Sequence, residues 1–174
     1  SNLRQAGMAL ASYAADNRGW LPPPYAPASY ALPYTGIWTQ SLLDNNYTDL
    51  RSLFCPIYSP VEYVRNGVPS GQDWLLWNLT YGMAGDYNLF TPFRLSDSWD
   101  ATESELLMDS VDLDPPSWVQ TDLGISGTVQ VLILRKYRGA TVSTRVHARH
   151  LGKANVLFMD FHAEPCAGDK SIVK

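Results

Sequence analysis

Three histidines, His147, His150 and His162, fall within sixteen residues and share that stretch with Asp160. Imidazole nitrogens beside a carboxylate make a ligand set that zinc accepts. The spacing speaks against such a site. His147 and His150 lie three apart without the glutamate of an H-E-x-x-H helix, in a segment that reads as strand or loop. Helical spacing has no meaning there, so hydrogen-bonded or solvated histidines beside a sheet are expected, and no metal is assigned. Asp109, Asp112 and Asp114 crowd six residues and are candidate calcium ligands by their hard oxygens. Pro115-Pro116 would cut an EF-hand loop short at that point. Cys55 and Cys166 are too few for a disulfide framework or a four-cysteine metal site. They are a candidate disulfide if the chain is exported, a link worth about 4–5 kcal/mol by chain entropy.

Nucleophile and phosphate motifs fail. Gly124-Ile125-Ser126-Gly127 lacks the last spacer of G-x-S-x-G and reads as a turn into a strand. Neither a P-loop nor G-x-G-x-x-G occurs. The expectation is a protein without catalytic residues.

These residues need a frame. Hydrophobic residues at 45% and charged ones at 17% exclude a disordered chain. A net charge of −4 argues against nucleic-acid binding. No apolar run reaches the 18 or so residues of a membrane span. One domain, residues 1–174, is expected. Residues 2–16 read as a helix whose apolar stripe is Leu3, Ala6, Leu10, Tyr13 and Ala14. Gly19 and Pro22-Pro23-Pro24 end it. Residues 20–104 read as loop-rich, with a short helix over 38–43 and buried anchors at Phe54-Cys55-Pro56 and Tyr81-Gly82-Met83. Residues 105–174 read as sheet. Strands are expected at 105–108, at 128–137 as a central covered strand, and at 141–147. Segments 155–159 and 162–164 flank Asp160-Phe161, a two-residue gap of hairpin length. The fold class is α+β, an N-terminal helix packed on an antiparallel sheet with long loop-rich insertions.

Charge is segregated. Eight acids and no base lie between Leu95 and Leu134, and six bases and no acid between Arg135 and Met159. The two segments either pair within the fold or meet head to tail between copies. Six tryptophans, Trp20, Trp38, Trp74, Trp77, Trp99 and Trp118, offer packing to the core or, where exposed and coplanar, stacking platforms for sugars. A carbohydrate-binding surface module is therefore the alternative reading.

The stretch from Arg149 to Glu164 resembles the signature of bacterial prepilin-type proteins, a histidine, nine residues, then Asp-Gly, often followed by His-Val-Glu. Here His150 and Asp160 hold that separation, with Asn155 in the strand between them and His162 after the turn. The opening residues, Asn2 to Leu10 and Tyr13 to Gly19, match as well, as do Phe54-Cys55-Pro56, Tyr81-Gly82-Met83 and Leu106 to Ser110. The resemblance implies a type IV pilin-like or type II secretion pseudopilin-like fold. It implies a structural subunit that assembles with other subunits through its N-terminal helix. It also implies an upstream, methylated membrane helix that anchors the domain at the inner membrane, facing the periplasm or cell surface. Ser1 opening inside a helical pattern fits an excised fragment. His150, Asn155, Asp160 and His162 are the structural motif. Phe161 departs from the pattern where glycine is usual. Either the turn is of another type, or burial of Phe161 offsets the strain of positive φ.

Overall fold

Ala and Leu at three-and-four spacing give α1, Asn2–Asp16, one buried stripe: Leu3, Ala6, Gly7, Ala9, Leu10, Tyr13 and Ala14. Burying each leucine contributes about 1.5–3 kcal/mol, which anchors a helix too short to persist alone. α1 ends where Arg18 and Gly19 take φ of 57° and 85°. The computed structural model describes residues 2–26, 36–56, 81–85, 94–97, 100–112, 133–135, 144–146, 148 and 150–167.

After the buried run Leu21 to Pro24, β1 (Tyr25–Ala26) pairs antiparallel with β2 (Gly36–Ile37). α2 (Trp38–Asp44) follows directly, burying Trp38 and Leu42 one turn apart. A 3-10 turn at Leu50–Leu53 is capped by Asp49, whose side chain accepts the Ser52 N–H. The main sheet comprises β3 (Gly82–Gly85), β4 (Glu105–Met108), β6 (Ile133–Arg135), β8 (Lys153–Phe158) and β9 (Ala163–Ala167), in the order β6-β3-β4-β8-β9. β5 (Ser110–Asp112) and β7 (Thr144–Val146) form a separate antiparallel pair.

Four of these strands, β3, β4, β8 and β9, run antiparallel, so the α+β class holds. Three expectations change. β6, within the segment expected to be central, stands at the end of the strand order and pairs parallel to β3, which makes the sheet mixed. The long chain between β3 and β6 permits the crossover that a parallel pair requires. The loop-rich region supplies an interior strand, β3, whose Gly-Met-Ala-Gly sequence lacks the β-branched residues that mark strands. Four residues, Met159 to His162, separate β8 from β9, where a two-residue gap is expected. Phe161 N–H bonds Phe158 O at 2.9 Å and Phe158 N–H bonds His162 O at 2.9 Å. With Phe161 at φ 67°, this is a turn closed by a left-handed bulge residue.

The core fills the space between α1 and the sheet. Leu3, Leu10, Tyr13, Trp38, Leu53, Phe54, Met83, Leu107 and Leu157 belong to it, with Phe161 packed partly buried at its margin. A second cluster, Met108, Val156 and Phe158 with Cys166 against it, lies on the alternate strand positions and so on the opposite face of the sheet. Helix and sheet approach closely at Gly7, where a Cβ would stand 2.7 Å from Leu157 Cδ1.

Candidate functional site

Cys55, Asp109 and His150, distant in sequence, meet at the α1 side of the sheet. Each is placed by a separate local device. Asn2, in the first turn of α1, donates through Nδ2 to Arg51 O (2.8 Å) and Phe54 O (2.9 Å). This pins the loop carrying Cys55, which is buried in the helix-side core.

Asp109 follows β4 at the point where the strand's partner changes from β8 to β7. Its backbone N–H donates to Asn155 O at 3.1 Å. Its carboxylate Oδ2 accepts the Asn155 N–H at 2.8 Å, taking the place of a ladder carbonyl. Asp109 is fully buried.

His150 opens a two-residue reversal into β8. Its N–H bonds Lys153 O (2.9 Å) and Lys153 N–H bonds His150 O (3.1 Å). Between them Leu151 and Gly152 take φ of 55° and 79°, as a type I′ turn demands. The half-buried ring then places Nε2 3.4 Å from Cys55 Sγ and 3.2 Å from Asp109 Oδ2. One ligand atom from each of the three residues lies within 4.8 Å of the others, and no other such trio occurs among the described residues.

A second histidine–aspartate pair occupies the far end of β8. Asp160 Oδ1 accepts the His162 N–H at 3.1 Å and lies 2.5 Å from His162 Nδ1. The imidazole stacks on Phe158, centroids 4.4 Å apart. The turn is docked on the preceding loop, with Asp160 N–H bonded to Ala101 O and Met159 N–H to Ser104 O. Desolvation would raise the Asp160 carboxyl, but the His162 N–H, its ring and its charge outweigh it and hold the carboxyl below its ordinary value. At the end of α1, Tyr47 donates its hydroxyl to Asp16 at 2.7 Å, a bond that raises the phenol above its usual range.

The sequence candidates therefore separate. His150 and His162 sit at opposite ends of the six-residue β8, roughly 20 Å of strand apart. A zinc site joining them does not form, and His147 lies outside the described residues. Of the calcium candidates, Asp109 lies beside Cys55 and His150; Asp112 belongs to β5, and Asp114 lies outside the described residues. Cys55 and Cys166 are not bonded to each other: they pack on opposite faces of the sheet. Cys166 Sγ instead lies 3.7 Å from Glu164 Oε1.

Of the tryptophans, Trp38 is fully buried and offers no sugar platform. Trp20 is partly exposed beneath the Arg94 guanidinium, 6.0 Å from the ring centre. The other four lie outside the described residues. The described residues include no helix long and apolar enough to cross a membrane. No protein-family model, curated protein or solved structure matches the chain.

Proposed function

We propose that the chain is the globular part of a non-catalytic, pseudopilin-like assembly subunit of a type II secretion or type IV pilus-like system. In this reading an apolar extension of α1 holds it in the inner membrane, and α1 meets other subunits on its outward face. The observation that carries the reading is the division of α1. One face is buried on the sheet, while Arg4, Gln5, Met8 and Ser12 point outward, with Met8 63% exposed. The hairpin bearing His150 and Asp160 lies in the same sheet, at the two ends of the strand on which α1 rests. Calcium has no role in this reading.

The test uses the product of the complete gene. A basic leader followed by about 20 apolar residues running into Leu3, recovery with membranes, and Met8→Cys cross-linking into ladders are expected. A soluble, exported product that stays monomeric under cross-linking would overturn the proposal.

A further inference from the structure

In the Cys55–Asp109–His150 trio one ring nitrogen stands between two further possible ligand atoms. His150 Nε2 faces both the thiol sulfur, at 3.4 Å, and the Asp109 carboxylate, at 3.2 Å. A ring nitrogen has one hydrogen-bonding position, either a proton to give or a lone pair. With a proton it donates to the carboxylate; without one it can accept from the thiol. A cation between the three atoms would take a lone pair from each of them at once.

The geometry points to a zinc-binding site formed by Cys55 Sγ, Asp109 and His150 Nε2. Tetrahedral bonds of about 2.3 Å to sulfur and 2.0–2.2 Å to nitrogen or oxygen set neighbouring ligand atoms roughly 3.3–3.6 Å apart. One edge, 3.4 Å, falls in that range, the second, 3.2 Å, lies just below it, and the third is no longer than 4.8 Å.

The donor set is also selective. Thiolate and imidazole favour a borderline transition ion over calcium or magnesium, and the carboxylate completes a mixed set typical of zinc. The surroundings are those of a built site. The Asn155 N–H bond to Oδ2 orients the carboxylate, as outer-shell partners do. Cys55 and Asp109 are buried, while the His150 side chain keeps 22% exposure, which leaves an approach for the ion and for a water at the fourth position. On binding, the Cys55 thiol gives its proton to solvent. This inference is independent of the assembly reading, since a subunit of any kind can carry a structural ion.

The 174-residue chain, purified reduced and treated with chelator, would be titrated with zinc chloride and, separately, cobalt chloride. One zinc per chain after desalting is expected, with a higher melting temperature than in chelator. Cobalt should show a thiolate charge-transfer band with the intense visible bands of four-coordination. Cys55→Ser should abolish the charge-transfer band, and His150→Gln should weaken zinc binding by at least about 100-fold, more than an outer-shell loss. Cys166→Ser, on the other face of the sheet, should keep both signals. Substoichiometric zinc with a free, reduced Cys55 overturns the inference, as does a cobalt band that survives Cys55→Ser.

Discussion

β8 carries a histidine–aspartate pair at each end, and the two differ in almost every physical respect. At the Asp160 end the partners are two residues apart and exposed, and the turn supplies the geometry. At the His150 end the partners come from separate elements, and the carboxylate is wholly buried. A local, solvated pair screens its own charge and contributes little. A buried carboxylate must have its hydrogen bonds met by the fold, so its loss is felt across the domain. The two turns differ in the same way. Leu151 holds positive φ with 102% exposure, so no burial offsets its strain. Phe161 holds positive φ against the core.

The largest effect should come from Asp109→Ala, which strands the Asn155 N–H and removes the carboxylate from His150. A loss of about 3 kcal/mol is expected in urea unfolding. A cost equal to that of Asp160→Ala would erase the contrast between the ends. Next comes Leu151→Asn, which places Asn-Gly in the type I′ turn and should stabilise by about 0.5–1 kcal/mol. A lower melting temperature would show that the exposed leucine is held by something beyond the turn.

Asp160→Ala should cost less than about 1 kcal/mol at neutral pH. The carboxyl is held below its ordinary value. Its contribution is therefore present above the unfolded-state pKa of about 3.9 and fades as pH falls through the lower folded-state value. Melting curves of wild type and variant should converge in that acid window; a gap that persists at lower pH breaks the assignment. The smallest change is expected from Phe161→Gly, where relief of about 1–2 kcal/mol of left-handed strain is offset by lost packing. A strong gain in stability would mean that Phe161 contributes no burial.

Much of the frame was legible. The stripe of α1 appears in the spacing of Leu3, Leu10 and Tyr13, strands β4 and β8 in short apolar runs, and β9 in the hairpin-length gap at Asp160-Phe161. β3 was hidden because two glycines flank its core, and only its neighbours' hydrogen bonds make it a strand. The trio was hidden for a different reason. Asp109 sat among acids that suggested calcium, and His150 among histidines that suggested one another. One signal was available: Asp109 continues the alternation of Leu107, placing a carboxylate on the face that the helix covers. A polar group buried there requires partners, and the fold brings it the Asn155 N–H, His150 and Cys55.

The missing side chain at Gly7 has a mechanical meaning. Leu157 fills the notch that the glycine leaves in α1, and a single added carbon would collide with it. The residues one turn away on the same face, Leu3 and Leu10, carry side chains, so sliding the helix by about one turn, 5.4 Å, would set a side chain where the notch now stands. The contact is a detent. A displacement of α1 would therefore press first on Leu157, and through it on β8.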